Sequence, residues 1–142
     1  MIIYCAGPIK GDITFQEFYK EIIKIVEALG HTALSEFSSK MLSTLPLNGR
    51  QIYSRDLKWL DGSNLMIAEV SGASTGVGFE IAYGLFVKNL PVLAVYNDQV
   101  KNISSMIIGC NHPGLVIRKY LNGEDLTKII KNFIINNGGK VT

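Results

Sequence analysis

Short, unbroken apolar runs alternate along the chain with longer stretches of helical period. Residues 2–6 (IIYCA), 65–70 (LMIAEV), 91–96 and 115–118 are apolar runs of strand length, and 32–35 is a weaker one. Between them, Phe15, Phe18, Tyr19, Ile22, Val26 and Leu29 recur at the spacing of one helix face. Thr14 with Glu17 three residues on reads as a capping box, and Gly30 as the stop. Further helices are expected over 50–60, 76–88, 103–108 and 124–136, and 36–49 as a loop or short irregular helix. The 76–88 helix is apolar nearly all round and is expected to be buried. Strands that are apolar on both faces and alternate with helices predict an α/β fold: a five-stranded parallel sheet covered on both sides, one domain over 1–142. In such sheets ligands bind beyond the carboxyl ends of the strands, which singles out loops 7–12, 36–49 and 71–76.

Composition narrows the classes of function. The 142 residues are 47% hydrophobic and 18% charged, enough to bury a core and too apolar for disorder. A formal charge of +2 without a basic stripe gives no reason to expect nucleic-acid binding. No apolar run reaches the roughly 18–20 residues of a membrane span, and the first residues do not read as a signal peptide. Cys5 and Cys110 form no CxxC pair, and His31 and His112 have no neighbours at ligand spacing; the expectation is a cytoplasmic protein without a metal site.

Two carboxylates break the packing pattern. Asp56 falls among Ile52, Tyr53, Leu57 and Leu60, read as the buried stripe of its helix, and Glu80 has Tyr83, Gly84 and Val87 as its helical neighbours. A buried charge without a partner costs several kcal/mol, so each needs a reason. One is a structural ion pair with Arg50, Arg55 or Lys10, or capping of backbone amides. The other is chemistry: Glu80 lies one turn into a helix after a central strand, where the helix N-terminus favours its ionised form. Paired acids at such an edge suit glycosidic-bond cleavage. The run Gly72–Gly78, with Ser74 and Gly76, can present backbone N–H groups and a hydroxyl to a phosphate, or Ser74 can merely cap the helix. The turn Gly7-Pro8-Ile9-Lys10-Gly11 offers one usable cation. Tyr4 reads as a core aromatic that could reach the same edge, Trp59 as packing, and Phe37 as a stacking candidate.

These segments resemble the nucleoside 2-deoxyribosyltransferase superfamily, and within it the 2′-deoxynucleoside 5′-phosphate N-hydrolase branch. The resemblance is carried by Tyr4–Gly11, Arg55-Asp56-Leu57-Lys58-Trp59-Leu60, Ala68-Glu69-Val70, Gly76-Val77-Gly78-Phe79-Glu80 and Ile103-Ser104-Ser105-Met106-Ile107. It implies a flavodoxin-like three-layer fold and a retaining mechanism needing no cofactor. Glu80 would attack C1′, Asp56 would assist proton transfer to the leaving base, Tyr4 would position nucleophile and sugar, and water would release the glycosyl-enzyme. It also implies substrate contacts from Gly7, Ile9, Lys10, Gly11, Phe37, Ser74, Gly76, Ser104 and Met106, with Ser104 supplied across a homodimer. The transferases, which take free nucleosides, carry an Asp six residues before the nucleophile; Ser74 stands there and would accept a phosphate that a carboxylate repels. The chain departs from the family pattern at Pro8, Lys10 and Phe37, where Ser, Arg and His are usual. The competing functions are base exchange by a deoxyribosyltransferase and nucleotide binding without catalysis.

Overall fold

Leu65–Glu69 is buried at all five positions and forms the middle strand of a five-stranded sheet. The computed structural model describes residues 1–38 and 46–142, so residues 39–45 of the expected 36–49 loop lie outside the described residues. The elements run β1 (Ile2–Ala6), α1 (Gln16–Ala28), β2 (Thr32–Leu34), α2 (Gly49–Asp61), β3 (Leu65–Glu69), α3 (Thr75–Ala82), β4 (Val92–Asn97), α4 (Ser105–Ile108), β5 (Leu115–Tyr120) and α5 (Gly123–Asn136). A π-helical turn, Tyr83–Val87, continues α3. Every strand pair is parallel and the order is β2-β1-β3-β4-β5, as in flavodoxin-like sheets. Strand order reverses between β1 and β3, which opens a crevice at their carboxyl ends.

Alternation along the strands divides the core in two. Ile3, Cys5, Leu65, Ile67, Leu93 and Val95 pack with α1 and α5 on one face. Tyr4, Ala6, Met66, Ala68, Val92 and Ala94 pack with α2 and α3 on the other. Each fully buried Ile or Leu contributes about 1.5–3 kcal/mol, so an exchange of the two faces by a one-residue slip is strongly disfavoured. Tyr4 and Glu80 therefore belong to the α2/α3 side. Among the described residues, no helix is long and apolar enough to cross a membrane.

Three local expectations are corrected. Thr14 does not cap α1: its amide and hydroxyl both donate to Asp12 Oδ1, at 3.0 and 2.6 Å, and Phe15 holds the N-cap position without a side-chain bond. Because the N-cap is Phe15, Thr14 stands one residue before the capping position. On α2 only Leu60 is buried, and Tyr53 is 56% exposed; Asn48 and Gln51 form the capping box that starts this helix. The 76–88 helix is not buried all round. It turns Val77, Ile81 and Leu85 inward, whereas Phe79 and Phe86 are 51% and 66% exposed. An apolar circumference shows that no face demands water; it does not supply a neighbour for every face.

Candidate active site

Three side chains from three elements meet beside the β1/β3 switch point. Tyr4, the middle residue of β1, projects to the α2/α3 side, and its hydroxyl donates a hydrogen bond to Glu80 Oε2. Glu80 stands on the second turn of α3 and is partly buried. Burial pushes its carboxyl pKa up to about 7. The Tyr4 hydrogen bond opposes this rise, the charges of Asp56 and Glu36 add to it, and Arg55 works against it. The ionised form expected from the helix N-terminus is thus outweighed by desolvation. Tyr4 is driven far above the usual phenol range by burial, then by the charges of Glu80 and Asp56, so it acts only as a protonated donor.

Asp56 comes from α2. Burial raises its carboxyl and the Arg55 hydrogen bonds lower it, while Tyr4 also lies within its hydrogen-bonding reach. Arg55 Nε donates to Asp56 Oδ1 at 2.9 Å, and Nη2 is 2.9 Å from the same oxygen. The guanidinium also pairs with Glu36, just beyond β2, and lies 4.6 Å from the Trp59 ring centre. The ion pair with Arg55 is therefore real, yet Asp56 still converges on Tyr4 and, through its field, on Glu80. Glu80 makes no ion pair among the described residues. Trp59 serves as a platform for Arg55, as packing.

The two glycine-bearing loops are laced to each other. Asp12 N–H donates to Ala73 O at 3.0 Å. A Cβ on Gly72 would sit 2.2 Å from Asp12 O, and one on Gly7 would sit 1.7 Å from the Tyr19 ring, so neither position has room for a side chain. Ile9, Lys10 and Gly11 are exposed on this rim. Ser74 caps α3, its Oγ accepting from Val77 N–H at 3.3 Å, and its own hydroxyl proton remains available; Gly76 is exposed beside it. Phe37 is half-buried, edge-on to Tyr19 at 5.4 Å between ring centres, with Lys20 over its face.

Ser104 and Met106 stand apart from the three central side chains. Ser104 caps α4 and is exposed, and Met106 is 85% exposed. With Ser74, Val77, Leu85 and Phe86 they line an apolar cleft of about 810 Å³ between α3 and the 102–111 segment. Tyr4, Asp56 and Glu80 do not line it.

Sequence reasoning overlooked two features. Glu36 shares Arg55 with Asp56 across 19 positions, which no local spacing announces. Glu69 is a third buried carboxylate, 0% exposed, bonded to Ser71 N–H at 2.5 Å and to the Tyr120 hydroxyl. It was visible as the one charge in LMIAEV.

The family model described as nucleoside 2-deoxyribosyltransferase matches residues 3–129. A relative from Syntrophotalea carbinolica, named "Putative 2'-deoxynucleoside 5'-phosphate N-hydrolase 1", is 33% identical, with 93% of each chain covered. A relative of the same name from Methanosarcina mazei is 36% identical over 93% of this chain and 83% of its own. A 5-hydroxymethyl-dUMP N-hydrolase from Tetraodon nigroviridis is 25% identical over 96% and 99%. The fold is shared with a CMP N-glycosidase of Clostridium botulinum, at a TM-score of 0.69 and 14% identity, covering 94% and 99% of the two chains. It is shared too with a 2-deoxyribosyltransferase of Bacillus psychrosaccharolyticus, at a TM-score of 0.65 and 16% identity, covering 89% and 90%. By sequence and by architecture, the chain belongs to the nucleoside 2-deoxyribosyltransferase family.

Proposed function

We propose that this chain is an N-glycosidase that hydrolyses 2′-deoxynucleoside 5′-monophosphates to free base and deoxyribose 5-phosphate. The observation that carries the proposal is the convergence of Tyr4, Glu80 and Asp56 from β1, α3 and α2. The names borne by the relatives from Syntrophotalea, Methanosarcina and Tetraodon point to the same reaction and to a phosphorylated substrate.

Glu80, as carboxylate, attacks C1′ while the C1′–N bond breaks and the base leaves with a proton from Asp56. Water then attacks C1′, gives its proton to Asp56, and frees Glu80. Asp56 is thus acid and then base. Tyr4 orients Glu80 and, as a donor, stabilises its charged form before attack. The 5′-phosphate is held by the Ser74 hydroxyl, the amides at the start of α3 and the Gly7–Gly11 rim with Lys10. No metal or organic cofactor takes part. Ser104 and Met106 are contributed to the site of a second subunit, and the exposed Phe79 and Phe86 fit an interface between copies. The free thiols of Cys5 and Cys110 suit a reducing, cytoplasmic setting.

A panel of ribo- and deoxynucleosides, with and without the 5′-phosphate, tests this by chromatography of released base. Base release from deoxynucleoside monophosphates, lost in Glu80→Gln, is expected. Tight nucleotide binding without base release would overturn the assignment. A new nucleoside formed when a second free base is added would assign base exchange instead.

A further inference from the structure

Glu69 is a buried carboxylate that the proposed chemistry does not use. Strand alternation turns it away from Tyr4 and Glu80: Ala68 packs toward α2 and α3, whereas Ile67 packs toward α1 and α5. On that side Glu69 meets Tyr120, the last residue of β5, whose hydroxyl donates to Glu69 Oε2. Its other oxygen accepts the Ser71 amide at 2.5 Å. Ser71 Oγ in turn accepts the amide of Asn97, the last residue of β4, at 2.8 Å. One carboxylate therefore ties together the carboxyl ends of β3, β4 and β5, the edge on which the ligand loops sit.

The chain leaves this knot directly into the loop that carries Ser74. Gly72 lies against the Asp12 carbonyl, and Ala73 O accepts the Asp12 amide at 3.0 Å. A Cβ on Gly11 would stand 2.2 Å from Ala73 O. Displacing Ser71 would therefore move both loops together. An apolar side chain at position 69 would fill the same core more cheaply, since a buried charge is costly even when paired. What an apolar side chain cannot give is simultaneous hold of Ser71 and Tyr120.

We propose that Glu69 is a positioning residue for the 5′-phosphate, acting through Ser71 to hold the 72–76 and 7–12 loops at one spacing. This rests on the assignment of those loops to phosphate. Steady-state kinetics on a 2′-deoxynucleoside 5′-monophosphate and on the matching free nucleoside tests it, with Glu69→Gln, Glu69→Leu and Tyr120→Phe. Glutamine keeps an acceptor for the Ser71 amide and a partner for Tyr120, so Glu69→Gln should stay within about threefold of wild type in KM. Glu69→Leu should raise the monophosphate KM about tenfold or more, with kcat within about threefold and the free nucleoside unaffected. Tyr120→Phe keeps the core volume and should raise the same KM about threefold, which decides the matter if Glu69→Leu does not fold. An unchanged monophosphate KM in the folded variants overturns the proposal, and so does an equal loss on both substrates. Wild-type enzyme with no preference for the monophosphate sinks the phosphate assignment itself, whatever the variants do, and this inference falls with it.

Discussion

The Tyr4 hydroxyl donates to the Glu80 carboxylate, joining β1 to α3 across 76 positions of sequence. This bond favours the ionised form of a carboxyl that burial otherwise holds protonated, up to a pKa of about 7. Tyr4→Phe removes the donor, so the Glu80 pKa rises further. Attack needs the carboxylate, and the acidic limb of kcat/KM against pH should therefore move upward, by about one unit. Activity falls most below neutrality and recovers in part at alkaline pH. A limb that stays in place, or moves downward, would show that Tyr4 does not set the charge of Glu80.

Glu80→Gln should separate stability from activity. A carboxyl whose pKa is higher folded than unfolded binds more protons in the folded state. Its cost to stability is absent below the unfolded value of 4.5 and grows as pH climbs to about 7. Removing the charge should stabilise the protein by about 1–3 kcal/mol at pH 8 and by almost nothing at pH 4. Turnover should drop by about 10³-fold or more, as expected for a lost nucleophile. Thermal melts at the two pH values, beside base-release assays, measure both. A destabilised variant at pH 8 would contradict the charge state assigned here.

Arg55 neutralises two acids, Asp56 and Glu36, and stacks on Trp59. Arg55→Lys keeps the charge but loses the planar fork, so it should not restore what Arg55→Ala removes. Without the guanidinium the fields of Asp56 and Glu36 act unopposed on Glu80, raising its pKa. Arg55→Ala should lose about 10–100-fold in kcat/KM at pH 7 and shift the acidic limb upward, whereas Arg55→Lys, which keeps a cation, should lose activity with the limb nearly in place. Full activity in Arg55→Lys would reduce this residue to a simple counter-charge.

Much of this arrangement was legible because strands buried on both faces write themselves as apolar runs, as IIYCA and LMIAEV do. Glu80 was visible as a charge placed where packing wants none; Asp56 was picked out by the same test, although the stripe it was read into is buried only at Leu60. The same test applied to Glu69 would have found the third acid. What could not be read were partners remote in sequence, Tyr120 for Glu69 and Glu36 for Arg55, since hydrogen bonding at such separations depends on topology. Thr14 misled because the residue type suits two local bonds, and only the backbone chooses between them.

Ser74→Asp places a carboxylate where the proposed phosphate sits. Monophosphate use should weaken by roughly 1–3 kcal/mol, read in kcat/KM, while the free nucleoside gains or stays level. The Ser74 cap on α3 is preserved by Asp, which also accepts from the helix amide, so stability should not confound the result. Equal kinetics for both substrates in wild type and variant would exclude Ser74 from the phosphate site.

Ser104 lies in the cleft beside α3 and not with Tyr4, Asp56 and Glu80. If it serves a second subunit's substrate, two dead variants should repair each other. Ser104→Asp would repel the phosphate from its partner's site, and Glu80→Gln would lack the nucleophile. Unfolded and refolded as a one-to-one mixture, about half the dimers would be mixed. Each mixed dimer would hold one site with Glu80 from one chain and Ser104 from the other. Recovery of about a quarter of wild-type activity is expected, in a species of dimeric mass by light scattering. Phe86→Glu, which charges the exposed flank of the α3 continuation, should abolish both the dimer and the recovery. A monomer that turns over substrate fully would place every working group within one chain, and Ser104 outside the reaction.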